Sequence, residues 1–401
     1  MSGSEANLLP DSDISGSSYR VRIIQGRLNL ENSGIGTMLR AMLRATPVFP
    51  APCIKTLSPS NCRIRRHYSI LNLLPSRKEL VPRGSRTQPP PLPPPKYVGI
   101  QGHCTLEYVD IQPSGEEPLA DKPVTIVMLH GAPGSYQDFR YLIPLVQRPR
   151  VRIVGINLPG YAGSTVAKSH YLESISALPT AKLILDALKQ LCGGADGDEN
   201  VFMVGHSFGA HTAINVAALN AAMKSTSQSK ASINFRGMAL LSPVGCSPHH
   251  VMRPRANALV IKMLDSGNPL LVSFASHAVK AIYTKLLRFP TDWPVDPFIA
   301  AVVRAGTTDF DLVREQVALL SSLNLPTLIA WSQSDEYIQE EVPLELEQLS
   351  YAGPRLAFAG GGHNIQKTRV EPIADAINGW IADVLSNEHV LVNKNTTQFL
   401  P

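Results

Sequence analysis

The segment VFMVGHSFGA, residues 201–210, places a serine between two glycines after a run of apolar residues. Because Gly205 and Gly209 have no side chains, a strand can turn sharply into a helix around Ser207 without steric collision. Such a turn exposes the serine hydroxyl at its tip, and the first N–H groups of the following helix point toward it. We therefore predict that Ser207 is a nucleophile.

A serine hydroxyl is a weak nucleophile and needs an adjacent base to accept its proton. His363, just after the last predicted strand, can act as this base, and Asp335, just after the preceding strand, can orient the imidazole. Glu336 is the alternative acid. The carboxyl ends of parallel strands share one edge of a sheet, so we expect Ser207, Asp335 and His363 to meet there.

The segment LHGAPGS, residues 129–135, follows the first predicted parallel strand. Its glycines allow the backbone to pass close to the site, so the amide of Ala132 can face a developing oxyanion. The amide of Phe208, directly after the serine, is the predicted second donor. The alternative interpretation of this segment is an ordinary Gly-Pro turn.

The spacing of apolar residues predicts the elements that position these groups. Helical patterns near 136–147, 173–192, 208–224, 340–350 and 370–386 alternate with short apolar runs, which predicts a mainly parallel sheet covered by helices on both faces. The predicted sheet has eight strands. They lie at 97–111 (an antiparallel pair), 124–130, 151–157, 200–205, 237–243, 326–332 and 354–360.

Residues 246–322 interrupt this alternation with successive helical patterns. An all-helical segment between the sixth and seventh strands predicts a lid over one edge of the sheet. Within it, His249, His250, Arg253 and Arg255 could face an anionic substrate group or simply form a solvated surface. Four aromatic residues could line an acyl pocket or form the core of the lid: Phe274, Tyr283, Trp293 and Phe298.

The motifs HGAPGS, NLPGYAGS, GHSFG, WSQSDEYI and GGGHN together resemble the α/β-hydrolase superfamily over residues 98–386. The resemblance is to the lid-bearing branch, which includes epoxide hydrolases, dehalogenases, carbon–carbon hydrolases and small-ester hydrolases. It implies Ser207 as nucleophile, Asp335 as acid, His363 as base, and the amides of Ala132 and Phe208 as the oxyanion hole. Two longer segments, HGAPGSYQDFRYL and LSPVGCSPHHVMRP, resemble a functionally uncharacterised family of animal α/β-hydrolases.

Two positions depart from that superfamily pattern. Asn157 stands where the turn after the second parallel strand usually has Asp, a change that we expect to affect only loop packing. Ser207 stands where epoxide hydrolases and dehalogenases attack with Asp, which argues against alkyl-enzyme chemistry.

The amino-terminal part of the chain has a different composition. Residues 1–96 form a basic, Pro-rich leader and linker, in which residues 33–78 contain no Asp or Glu. This Arg-rich composition is typical of a mitochondrial transit peptide, with processing near Ser69 and translation starting at Met38; the alternative is a disordered leader on a cytoplasmic protein. We predict the hydrolase domain over 97–390 and a tail over 391–401.

Composition excludes several classes of function. No basic patch interleaved with aromatic residues lies in the body of the chain, which argues against nucleic-acid binding. No apolar run reaches the roughly 18 residues of a membrane-spanning helix. The five cysteines are scattered and form no CxxC pair, so neither a disulfide framework nor a metal site is predicted, and no cofactor is expected.

The predicted function is that of a serine hydrolase acting through an acyl-enzyme on a small or medium-sized carboxylic ester. A thioester, an amide or a carbon–carbon bond is an alternative target, because the lid and not the triad sets specificity. The alternative from another class is a non-catalytic protein that uses the fold to bind small molecules or proteins. The sequence does not determine the oligomeric state.

Overall fold

A computed structural model of the protein describes residues 88–113, 123–193, 199–225, 232–386 and 396–401. The predicted transit peptide and the proposed start at Met38 lie outside these described residues. Of the predicted leader, only the Pro-rich end from residue 88 is described, and it leads directly into the first strand.

The strands of the described chain form one ten-stranded sheet. In chain order they are β1 Lys96–Ile100, β2 Cys104–Ile111, β3 Val124–Leu129, β4 Val151–Ile156, β5 Thr165–Val166, β6 Asn200–His206, β7 Phe235–Leu241, β8 Thr327–Ser332, β9 Arg355–Phe358 and β10 Thr397–Leu400.

The spatial order of the sheet is β1-β2-β4-β3-β6-β7-β8-β9-β10, and β5 pairs with β2. All neighbouring pairs from β4 to β10 are parallel, whereas β2 runs antiparallel to β1, β4 and β5. Every residue of β3, β6 and β8 is buried, as expected for parallel strands that are covered on both faces. The mainly parallel α/β architecture predicted from the sequence is therefore present.

The prediction of eight strands was two short. β5 has only two residues, too few to produce an alternating pattern, and β10 lies inside the segment predicted as a tail. β10 pairs in parallel with β9, with Gln398 opposite Leu356. This pairing joins segments far apart in the chain, so local sequence patterns carry no sign of it.

Helices cover the sheet on both faces. The described α-helices are α1 Ile143–Val146, α2 Tyr171–Ile175, α3 Ala177–Cys192, α4 Phe208–Ser225, α5 Pro254–Leu264, α6 Pro269–Ala281, α7 Asp296–Gly306, α8 Phe310–Ser322, α9 Glu341–Leu349, α10 Ile365–Thr368 and α11 Val370–Leu385. Short 3-10 helices span Tyr136–Phe139 and Lys168–His170, and a π-helix spans Ile282–Leu286.

The helix predicted over 136–147 is instead two short elements, the 3-10 helix Tyr136–Phe139 and α1. Ser135 caps the first of these, since its hydroxyl accepts the N–H of Gln137 while Asp138 accepts the N–H of Ser135. Pro144 lies in the first turn of α1, where proline fits because the N–H groups of that turn have no partner within the helix.

Four α-helices and the π-helix lie between β7 and β8, where the sequence predicted a helical segment. α8 packs along α4, the helix that follows Ser207, and so belongs to the layer against the sheet. α7 packs against α5 and α6. We use the name helical insertion for residues 254–306, which include α5, α6, the π-helix and α7. None of the described helices is long and apolar enough to cross a membrane.

Candidate active site

Ser207 lies at the turn between β6 and α4 and has a positive φ of 53°. A Cβ on Gly205 would lie 2.6 Å from the carbonyl oxygen of Gly209, and a Cβ on Gly209 would collide with the carbonyl oxygen of Leu129. Both positions therefore require glycine. The turn is held by the Ser207 N–H, which donates to the carbonyl of Leu241 at 3.0 Å.

Asp335 and His363 lie beside each other although 28 residues separate them. The Nδ1 atom of His363 is 2.8 Å from Oδ2 of Asp335, while Oδ1 of Asp335 accepts the N–H groups of Tyr337 and Ile338 at 2.9 and 3.0 Å. Burial opposes ionisation of Asp335, but the hydrogen bond from His363 and the two backbone donors outweigh it and lower the pKa of the carboxyl. Asp335 is thus a fixed carboxylate.

This contact determines the tautomer of His363. An ionised carboxylate only accepts hydrogen bonds, so Nδ1 of His363 carries the proton and Nε2 of the neutral ring has a free lone pair. The hydroxyl of Ser207 makes no hydrogen bond to any described residue, His363 included. Serine–histidine contacts of this kind often tighten only when substrate binds.

His206, the residue directly before Ser207, contacts the loop that carries His363. Its Nε2 atom lies 3.0 Å from the carbonyl oxygen of His363, and the two rings are 4.9 Å apart. Burial and the nearby His363 both lower the pKa of His206, so it is a neutral donor to that carbonyl. Its place directly before Ser207 was the only signal in the sequence.

Glu336 does not contact Nδ1 of His363. Its Oε2 atom instead accepts the backbone N–H of His363 at 3.0 Å. The structure therefore places the two acidic neighbours on different parts of the same histidine, Asp335 on the ring and Glu336 on the main chain.

The loop after β3 carries Ala132 close to the serine turn. A Cβ on Gly131 would lie 3.0 Å from Cβ of Ser207, so only glycine allows this approach. The N–H of Ala132 has no hydrogen-bond partner among the described residues. Phe208 begins α4, and the first N–H groups of a helix have no partner within it. Both amide N–H groups can therefore donate to a ligand oxygen.

His130 anchors this loop. Its Nε2 atom accepts the N–H of Leu158 at 3.0 Å, so Nδ1 carries the proton and donates to the carbonyl of Gly131 at 2.6 Å. Burial lowers the pKa of His130 to about 4, which keeps the ring neutral. Asn157 supports the same region, since its side-chain oxygen accepts the N–H of Tyr136 at 2.7 Å and its amide donates to Glu107.

Of the four His and Arg residues at the start of the predicted lid, the structure brings only His249 to the site. Its ring lies 6.0 Å from that of Phe208, and its buried Nδ1 atom has no partner among the described residues. Burial and the nearby His363 lower the pKa of His249 to about 3. His250, Arg253 and Arg255 are exposed.

An apolar cluster surrounds these groups. Its buried members are Phe208, Val244, Met252, Ile338 and Val342, and Ala132, Ala305, Phe310 and Tyr337 pack against it. Of the aromatic residues predicted for the lid, Tyr283, Trp293 and Phe298 pack against one another, while Phe274 is 67% exposed and contributes to neither pocket nor core.

Arg304 connects the helical insertion to the helices beneath it. Its guanidinium is buried and donates to the hydroxyls of Thr212 on α4 and Thr180 on α3, at 3.0 and 2.9 Å. It makes no salt bridge with a carboxylate of the described chain, and burial lowers its pKa. Thr212 in turn donates to the carbonyl of Phe208.

No group of three or more His, Cys, Asp or Glu residues in the described chain is arranged to hold a metal ion. Three cysteines are described, Cys104, Cys192 and Cys246, and each is buried with a free thiol. Burial raises the pKa of Cys104 to about 11, so this thiol is inert at ordinary pH.

Comparison with known proteins identifies an alpha/beta hydrolase fold. The model of a family described as "Alpha/beta hydrolase of unknown function (DUF1057)" matches residues 99–381. An uncharacterized protein of Caenorhabditis elegans, F35H12.5, is 21% identical over 194 residues, covering 47% of this chain and 50% of the relative. The aligned part thus spans about half of that curated relative.

Two solved structures illustrate the structural likeness. Haloalkane dehalogenase DbeA from Bradyrhizobium elkani USDA94 superposes with a TM-score of 0.52 at 16% identity, covering 74% of this chain and 99% of that one. An esterase from Exiguobacterium antarcticum superposes with a TM-score of 0.49 at 16% identity, covering 71% of this chain and 98% of the esterase. At this identity the dehalogenase establishes the fold alone.

Proposed function

The chain belongs to the alpha/beta hydrolase family whose model spans residues 99–381, and we propose that within it this protein is a serine hydrolase of carboxylic esters. The observation that carries the proposal is the 2.8 Å contact between Asp335 and Nδ1 of His363, together with a serine held at positive φ between two required glycines.

In the proposed reaction, Nε2 of His363 takes the proton of the Ser207 hydroxyl as its oxygen attacks the ester carbonyl. Asp335 holds the ring in the required tautomer and stabilises the imidazolium that forms. The imidazolium then gives its proton to the alkoxide leaving group, which leaves an acyl-enzyme on Ser207. His363 then takes a proton from a water molecule, which attacks the acyl carbonyl. The carboxylic acid leaves, and the proton returns to Ser207.

The amides of Ala132 and Phe208 are the proposed oxyanion donors. Two observations support this assignment. The N–H of Ala132 has no hydrogen-bond partner among the described residues, and Phe208 is the first residue of α4. An amide held in place before the reaction stabilises the developing negative charge without reorganisation.

The surroundings favour an uncharged acyl group. Burial lowers the pKa values of His206 and His249, so both rings are neutral, and the remaining walls are apolar. The unpartnered Nδ1 atom of His249 offers one polar contact to the substrate. Thioesters share this carbonyl chemistry and are the first alternative to include in a substrate panel.

Labelling of the full chain with a fluorophosphonate probe tests the proposal. We expect one modified residue, Ser207, located by peptide mass spectrometry, and no labelling of Ser207→Ala. Ser276→Ala, which changes a half-buried serine of the helical insertion, is the matched control and should label like the unchanged protein. Ester turnover by Ser207→Ala at the rate of the unchanged protein would contradict the assignment.

A further inference from the structure

Exposed apolar side chains are concentrated on one part of the molecule. Ten large apolar residues of the described chain are exposed, and six of them lie between residues 259 and 286. These six are Leu259, Leu270, Leu271, Phe274, Ile282 and Leu286. Leu270 is 80% exposed and Phe274 is 67% exposed, so neither packs against the rest of the chain.

Helical spacing places several of these residues together. Leu270 and Phe274 are four residues apart on α6, and Ile282 and Leu286 are four residues apart on the π-helix that continues it. Ala275 and Val279 are buried and form the opposite, inward face of α6. The exposed apolar face is therefore outside the packed core of the insertion.

The charged residues of the same segment are mostly positive. Residues 253–289 contain six cations and a single acidic residue, Asp265. The exposed cations Arg255, Lys262, Lys285 and Arg288 make no ion pair with the described chain. Elsewhere in the described chain, Arg314 pairs with Glu345 and Lys367 pairs with Asp138.

We propose that this apolar and basic face of the helical insertion binds the surface of an anionic phospholipid bilayer. Leucine, isoleucine and phenylalanine side chains enter the boundary between headgroups and acyl chains, and flanking lysines and arginines bind lipid phosphates. Exposed apolar residues flanked by unpaired cations are typical of helices that lie in a membrane interface. The proposal is independent of the reaction assigned to Ser207.

Cosedimentation with vesicles tests the proposal in the full chain. We expect binding to vesicles of phosphatidylcholine with 30 mol% phosphatidylglycerol and much weaker binding to phosphatidylcholine alone. The double variant Leu270→Ser with Phe274→Ser should lower the partition coefficient at least about tenfold, because two inserted side chains are lost. Phe399→Ser, which changes a residue that is 70% exposed on β10, is the matched control and should bind unchanged.

Charge variants separate this face from the basic leader, which could also attract anionic lipid. Lys285→Gln with Arg288→Gln should weaken binding about fivefold for each charge removed. Arg65→Gln with Arg66→Gln removes the same charge from the leader and should have a smaller effect.

Three results would overturn the proposal. One is no vesicle binding by the unchanged chain, and another is undiminished binding by the Leu270 and Phe274 double variant. The third is a dimer, measured by light scattering, that the same double variant converts to a monomer, since the face would then be a contact between copies. Far-ultraviolet circular dichroism should show native folding of each variant.

Discussion

Within the sheet, the side chain of Asp110 on β2 is nearly buried. Its carboxylate forms salt bridges with Arg152 of β4 and Lys96 of β1, at 2.8 and 3.1 Å. On the helical insertion, Lys262 and Lys285 are exposed and pair with no carboxylate of the described chain. Apolar side chains differ in the same way, because Phe202 of β6 is fully buried whereas Phe274 of α6 is largely exposed.

The two regions thus meet different requirements. Strands buried on both faces must satisfy every polar group internally, so each ionised side chain there needs a partner from another strand or helix. The insertion packs on one side only, and its outer face carries groups that nothing in the described chain satisfies. We infer that the sheet region provides stability and the catalytic geometry, while the insertion provides the surface that meets other molecules.

The largest expected effect is on the edge of the sheet that carries the proposed catalytic residues. Asp335→Asn keeps the size of the side chain but presents the wrong partner to Nδ1 of His363, so ester turnover should fall by about 10⁴. Glu336→Gln keeps an oxygen acceptor for the N–H of His363 and should lower turnover by less than about tenfold. Steady-state kinetics on one ester would measure both, and the reverse ranking would make Glu336 the acid.

The second prediction compares one aromatic residue from each region. Phe202→Ala removes a fully buried ring that contacts Trp380, and the unfolding free energy should fall by about 3–5 kcal/mol. Phe274→Ser should change it by no more than about 0.5 kcal/mol because the ring is already in solvent. Urea denaturation followed by tryptophan fluorescence gives both values. A large loss in Phe274→Ser would show that α6 is covered in solution.

The third prediction concerns pH. Burial lowers the pKa of His211 on α4 from 6.5 to about 4, so the folded state keeps this ring neutral while the unfolded chain protonates it. Its contribution to stability is complete above pH 6.5 and is lost as pH falls toward 4, by up to about 3 kcal/mol.

His211→Gln should therefore flatten the dependence of unfolding free energy on pH between 6.5 and 4. The matched control is His277→Gln, which changes an exposed histidine of α6. Equal slopes for His211→Gln and the unchanged protein would remove His211 as a source of acid sensitivity.

The smallest expected effect compares two cations. Arg152→Gln leaves Asp110 with Lys96 and Gln112 as side-chain partners and loses the hydrogen bond to the carbonyl of Leu191, which should cost about 1–2 kcal/mol of unfolding free energy. Lys285→Gln should cost less than about 0.5 kcal/mol. Thermal unfolding at low and high salt would measure both, and an equal loss would mean that Lys285 has an acidic partner.

The sequence was a good guide wherever a local pattern expressed a local requirement. Runs of buried apolar residues predicted β3, β6 and β8, and the glycines around Ser207 predicted the sharp turn. Patterns failed where an element depends on a distant partner. β10 is a strand only because β9 has an open edge, and α8 looked like part of the lid until its packing on α4 was visible.

By itself, the sequence determined which strand precedes each candidate site residue, and which residues are the candidate nucleophile, acid and base. It also determined the helical character of the insertion. These follow from residue type, spacing and the steric demands of glycine, which act over a few residues. Only the tertiary structure decided that Asp335 meets the ring of His363 while Glu336 meets its backbone, and that His206 and His249 flank the site. It also decided that Phe274 faces outward. These depend on distances and burial, which arise only when remote segments pack together.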